Sequence, residues 1–211
     1  MLLKTKVLPL ALALAFAGHA GAQEIIKIGH VAPVSGASSH LGKDNENAAK
    51  MAIEDLNAKG FKIDGKAVKF VLVAEDDAAD PKQGTAVAQK LVDAKVNGVV
   101  GHLNSGTTIP ASRIYFNAGI PQISPAATNP TYTQQKFNTA FRVVANDNKL
   151  GGTLGAYAVG KLQAKKIAVI DDRTAYGQGV AEQFVKGAKK AAPGVQIVGK
   201  EFTNANATDF N

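Results

Sequence analysis

The sequence predicts an α/β protein in which parallel sheets are flanked by helices and the chain is split into two lobes. Three observations carry that prediction. Short apolar runs alternate with longer segments whose apolar residues recur at helical spacing. The connections between them are short and rich in Gly, Pro, Asn and Asp. The rhythm loosens once, after residue 125, and resumes near residue 148.

Taken in order, residues 25–31 read as the first strand. A helix is expected over 45–59, with Ala48, Ala49, Ala52, Ile53 and Leu56 on one face and Gly60 as its stop. Residues 68–74 form the second strand. Asp80 caps a helix over 81–94, and Pro81 sits at its first position, where a missing N–H costs nothing. Strand 96–101, helix 107–118 (with Pro110 in its first turn) and strand 121–124 complete four units. Residues 126–137, rich in Thr, Asn, Gln and Pro, read as loop, and 141–144 as a short strand. Residues 144–148 are the expected crossover between lobes. Beyond it come helix 148–162, strand 166–171, helix 177–190 and strand 195–202. A two-strand unit seldom stands alone, so the expectation is the amino-terminal part of a longer protein.

The first 22 residues read as an export signal. Lys4 and Lys6 precede an apolar run over 7–17, and Ala20-Gly21-Ala22 is the small-residue pattern of a cleavage site. The run is shorter than the roughly 20 residues a membrane span needs. Cleavage is expected after Ala22, giving a periplasmic protein with a first lobe at 23–145 and the start of a second at 146–211. The net charge is +7, but the lysines are scattered along helical segments and Trp is absent, so no basic aromatic stripe suits nucleic acid. Cysteine is absent, which excludes thiol catalysis, disulfides, Cys-based metal sites and a lipid-bearing Cys.

Two small, hydroxyl-rich turns follow predicted strands. One is Gly101-His102-Leu103-Asn104-Ser105-Gly106 after the apolar run 98–100; the other is Ser124-Pro125-Ala126-Ala127-Thr128 after 120–123. Loops beyond the carboxyl ends of parallel strands are where ligands bind, and free N–H groups at a helix start suit an anion. Two such turns side by side would clamp a small carboxylate. Other motifs fail. Gly36 to Lys43 resembles a phosphate loop, but five residues separate its glycines and Asp44 replaces the Ser/Thr; it reads as a flexible cleft loop. Gly177-Gln178-Gly179 lacks the third glycine of a dinucleotide site, where Glu182 stands. Asp76-Asp77 and Asp171-Asp172 read as capping and solvated acids, and Asp147, at the crossover, as a cap of the next helix, with approach to the ligand the alternative. His30, His40 and His102 show no ligand spacing, so no metal or cofactor is expected. No Gly-x-Ser-x-Gly elbow is present.

These turns, with the segments 28–36, 47–60, 76–82 and 171–179, resemble the periplasmic solute-binding proteins of branched-chain amino acid ABC transporters, the leucine/isoleucine/valine-binding type. The resemblance spans the chain after the signal. It implies a type I periplasmic-binding-protein fold, no enzymatic activity, a free amino acid as ligand and a membrane ABC permease as partner, with the complete protein a monomer. It implies that Ser105 and Thr128 bind the ligand carboxylate, that the Ala126 carbonyl and Thr128 hydroxyl take its ammonium group, that Leu103 and Leu41 line the side-chain pocket, and that Tyr176 closes the cleft. Ala79 and Asn104 stand where some members carry a Cys pair, so that bridge is absent here. The family's acidic ammonium partner and a further cleft tyrosine lie later in the second lobe than this chain extends. Two other readings stay open: a sensor or regulatory module for amides, urea or aromatic acids on the same scaffold, and a doubly wound enzyme.

Overall fold

A computed structural model of the chain describes residues 23–204 and 207–209. The expected export signal at 1–22 lies outside the described residues. The elements run β1 (Glu24–Ala32), α1 (Ser39–Ala58), β2 (Lys62–Ile63), β3 (Lys66–Asp76), α2 (Pro81–Asp93), β4 (Gly98–Gly101), α3 (Ser105–Asn117), β5 (Gln122–Ser124), α4 (Thr131–Gln134), β6 (Ala140–Arg142), α5 (Asp147–Gly160), β7 (Lys166–Asp171), α6 (Ala175–Ala191) and β8 (Gln196–Phe202). Among the described residues no helix is long and apolar enough to cross a membrane.

Six strands form one sheet in the order β2-β3-β1-β4-β5-β6, and β7 and β8 form a second. All pairings are parallel except β2 with β3. That hairpin turns on Asp64 and Gly65, both at positive φ, the backbone that a two-residue hairpin loop demands. The core lies between the first sheet and helices α2 and α3, where Val31, Leu91, Val99, Ala111 and Tyr115 are fully or almost fully buried. Asp80 caps α2 as expected, its carboxylate accepting from the Gln83 N–H at 2.8 Å.

Three local expectations are corrected. The segment read as a flexible loop up to Lys43 is helical from Ser39, because Gly42 lets the first turn of α1 settle against the Pro33 carbonyl; a Cβ there would stand 1.9 Å from that oxygen. The stretch read as loop over 126–137 contains the single turn α4. Asp77 is fully buried rather than solvated.

In the second lobe, α5 and α6 pack backbone against backbone through Gly151, Gly155 and Gly187. A Cβ at Gly155 would lie 2.0 Å from the Phe184 carbonyl oxygen, whereas one at Gly152 meets nothing within 4 Å. Alanine improves helix propensity by about 1 kcal/mol at either place, but overpacking costs roughly 1–3 kcal/mol. Gly155→Ala is therefore expected to lower the melting temperature and Gly152→Ala to raise it, as read by circular dichroism.

Candidate ligand-binding site

The strand order reverses at β1, whose neighbours are β3 on one side and β4 on the other. Open α/β sheets bind ligands at the carboxyl ends of strands beside such a reversal. Here the segments after β1, β4 and β5 face the start of α6 across a cavity of about 700 Å3, within the roughly 300–1,000 Å3 of small-molecule pockets. Leu41, Leu103, Ser105 and Ala126 line it from the first lobe, and Tyr176 from the second. The Thr128 side chain, expected to contact the ligand, does not line this cavity. Its hydroxyl is buried beneath the turn, and the Thr128 carbonyl accepts from the Asp147 N–H at 2.9 Å.

Ser105 is the first residue of α3 and almost fully buried. Its hydroxyl oxygen accepts from the Asn129 N–H at 3.2 Å, so the hydroxyl proton remains available to a ligand. The first helical bonds of α3 run from the N–H groups of Thr107 and Thr108 to the Asn104 carbonyl. The N–H groups of Ser105 and Gly106 precede them and donate to no protein group. A hydroxyl and two free N–H groups thus converge at the positive end of a helix of 13 residues, which favours an anion.

Buried polar contacts tie this turn to the next one. Ser124 donates to the His102 carbonyl at 2.8 Å and accepts from the Ala127 N–H at 3.0 Å. Thr108 shares its one hydroxyl proton between the same His102 carbonyl at 3.0 Å and the Asn104 carbonyl at 2.8 Å. The His102 ring is held between Asp77 Oδ2 at 3.0 Å and the Tyr115 hydroxyl at 3.1 Å, all three side chains fully buried. Burial raises the Tyr115 phenol above its ordinary range. Asp77 is therefore a structural partner of the first turn.

Arg142, at the end of β6, was not singled out from the sequence. It donates through Nε to the Ala127 carbonyl at 2.7 Å and through Nη2 to the Asn129 carbonyl at 2.8 Å, over the Tyr132 ring. The lobes touch nearby: Asn129 Nδ2 donates to the Ala175 carbonyl at 2.6 Å, at the start of α6. Gly179 of α6 leaves room for this junction, since a Cβ there would lie 2.7 Å from both Asn129 Nδ2 and Asp147 Oδ2.

Asp147 is not the expected cap. The cap of α5 is Asn146, whose side chain accepts from the Lys149 N–H. Asp147 is fully buried one residue later, and neither carboxylate oxygen has a hydrogen-bond partner. Burial raises its pKa, opposed by the Thr128 hydroxyl, which lies nearby but outside hydrogen-bond geometry, and by the Arg142 charge. Asp171 and Asp172 accept from N–H groups two residues on, as ordinary turns do. Among the described residues no group of three or more metal-capable side chains converges.

A raised carboxyl pKa in the fold stabilises the chain below the unfolded value and withdraws that stability as pH rises through the folded value. Asp147→Asn is expected to raise the melting temperature near neutral pH. Melting curves recorded across pH should show the gain shrinking as pH falls toward the ordinary carboxylate range; a gain independent of pH would contradict the assignment.

Residues 25–211 match a family model described as periplasmic binding protein. The chain is 40% identical over 202 residues to Leu/Ile/Val-binding protein homolog 1 of Brucella abortus, covering 96% of this chain and 53% of that protein. It thus spans about half the length of the curated relatives it matches. Among solved structures it superposes with a TM-score of 0.77 and 32% identity on the branched-chain amino acid transporter substrate-binding protein of Streptococcus pneumoniae in complex with isoleucine, covering 89% of this chain and 52% of that one. A Rhodopseudomonas palustris solute-binding protein in complex with 3,4-dihydroxy benzoic acid gives 0.73 and 25% identity, covering 85% of this chain and 47% of that one. The chain belongs to the periplasmic binding protein family, with its mostly parallel α/β fold, and its relatives are solute-binding proteins, not enzymes.

Proposed function

We propose that this chain captures an aliphatic amino acid of the leucine, isoleucine or valine type in the cleft between its lobes and presents it to an ABC permease. The observation that carries the reading is the donor set at the start of α3. The Ser105 hydroxyl accepts from the Asn129 N–H and has its proton free, beside two unpaired N–H groups. A carboxylate seated there would gain charge-assisted hydrogen bonds. The Ala126 carbonyl accepts from no protein group and faces the same cavity, where an ammonium group can use it. Leu41, Leu103, Ala79 and Pro81 make the rest of that wall aliphatic.

Capture on the first lobe is followed by closure about residues 144–148, with Tyr176 as the covering wall. Ligand shifts the open–closed balance only through contacts that improve on closure. The relative solved with isoleucine supports this substrate class. The relative solved with an aromatic acid shares the carboxylate but not the ammonium group. The first-lobe side chains are mainly aliphatic, Asp172, Arg173 and Thr174 add polar groups from the second lobe, and Tyr176 is the one aromatic side chain, a balance that favours a zwitterion with an aliphatic side chain. Export to the periplasm with removal of residues 1–22, lobes at 23–145 and 146–211, and a monomeric state complete the proposal. No cofactor or catalytic residue enters it.

Titration of the isotope-labelled chain with L-leucine is expected to shift the amide resonances of Ser105, Gly106 and Thr128, with benzoate competing weakly. Ser105→Ala should weaken leucine binding tenfold or more, the loss of about one charge-assisted hydrogen bond at roughly 1.5–3 kcal/mol. Unchanged affinity would remove Ser105 from the site. Tyr176→Ala should lower affinity for leucine more than for alanine while leaving the melting temperature in place. An equal loss for both ligands would count against a covering role.

A further inference from the structure

We infer that Arg142 is the positioning residue that turns the backbone of the second ligand turn so that the N–H groups of Thr128 and Asn129 serve the carboxylate site; the ligand's identity rests on the function proposed above. The reasoning starts from peptide geometry. In a trans peptide the C=O and the following N–H point in opposite directions. The non-trans bond among the described residues is Gly101-His102, so the peptides of the second turn are trans. Arg142 Nε holds the Ala127 carbonyl at 2.7 Å, which directs the Thr128 N–H away from Arg142. That N–H donates to no protein group. The Thr128 carbonyl is held by the Asp147 N–H at 2.9 Å, which directs the Asn129 N–H the other way, and it lands on Ser105 Oγ at 3.2 Å. Nη2 then fixes the Asn129 carbonyl at 2.8 Å, just before Pro130, which has no N–H to offer.

The consequence reaches the first turn. With its oxygen accepting from Asn129, Ser105 is left to donate its proton into the cleft. Arg142 thus acts on the ligand through the Thr128 amide, whose peptide it holds directly, and through the Asn129–Ser105 bond, whose peptide is held by Asp147 between the two carbonyls that Arg142 fixes, without lining the cavity itself. Its planar fork suits two carbonyls at once, and the Tyr132 ring, 5.5 Å from Cζ, backs it. Lysine keeps the charge but is a point donor and cannot hold two carbonyls in one plane.

The test uses Arg142→Gln and Arg142→Lys in the whole chain, each checked for folding by its melting temperature. The first readout needs no ligand. Hydrogen exchange at the Asn129 amide should quicken tenfold or more in both variants while the β1, β3 and β4 amides keep their protection. Unchanged exchange at Asn129, or equal acceleration throughout the sheet, would overturn the inference. The second readout compares L-leucine with L-leucinamide, which lacks the carboxylate. Affinity for leucine should fall tenfold or more in Arg142→Gln and that for leucinamide less than twofold. Equal losses for the two ligands would reduce Arg142 to a general structural role and overturn it. Failure of the native chain to bind leucine would instead defeat the proposed function, and the Asn129 exchange would still decide the role of Arg142.

Discussion

The molecule depends on one shared acceptor, the backbone carbonyl of His102. Two hydroxyls converge on it, Thr108 from the helix that follows β4 and Ser124 from the end of β5. Neighbouring parallel strands are joined by ladder bonds, but their loops are free to diverge once the ladder stops. Here the ladder between β4 and β5 pairs Val100 with Ile123 and goes no further. The serine and threonine hydroxyls continue the connection by one more layer. The hydroxyls and the carbonyl they serve are buried, so leaving one unpaired would cost about 1–3 kcal/mol. Beneath, the Asp77–His102–Tyr115 line holds the imidazole from both edges. The loop after β4 therefore has little freedom to drift.

That rigidity gives the cleft its chemistry. Around the two turns, several backbone groups keep no protein partner. Ser105 and Gly106 keep their N–H groups, Thr128 keeps its own, and Ala126 keeps its carbonyl. A preorganised set of donors and one acceptor costs little reorganisation when a zwitterion arrives. The second lobe is joined less tightly near the cleft. Its contacts there include the Asn129 to Ala175 hydrogen bond and the fit of Gly179 against Asp147. Asp147 sits in that seam with both oxygens unpaired, at the point where the chain passes from one sheet to the other.

Much of this was legible in the sequence, for physical reasons that can be named. Asp80 followed by Pro81 announces a helix start because each residue supplies what a first turn needs. Ser105 and the turn of Ala126 and Thr128 could be placed together because each follows an expected strand, whereas Leu41, Leu103 and Tyr176 came from the family resemblance; the segments after four strands, β1, β4, β5 and β7, meet at the cavity. What escaped was long-range or disguised. Arg142 reaches back 13 and 15 residues to carbonyls, and no local pattern marks a carbonyl clamp. Asp77 and His102 are 25 residues apart, so an acid at a strand end looked like a surface cap. Gly42 looked like loop, yet its missing side chain is what lets α1 begin early against Pro33. The hairpin at Asp64-Gly65 did carry a readable signal, a two-residue turn between short apolar positions, and was passed over.

The central claim is that the two knitted turns grip the charged head of a free amino acid. A crystal structure of the chain grown with L-leucine tests it most directly. The account predicts a carboxylate within hydrogen-bond distance of Ser105 Oγ and the amides of Gly106 and Thr128, with the aliphatic side chain directed toward Leu103 and Tyr176. Leucine bound with its carboxylate against the second lobe, or bound outside the cleft, would contradict it.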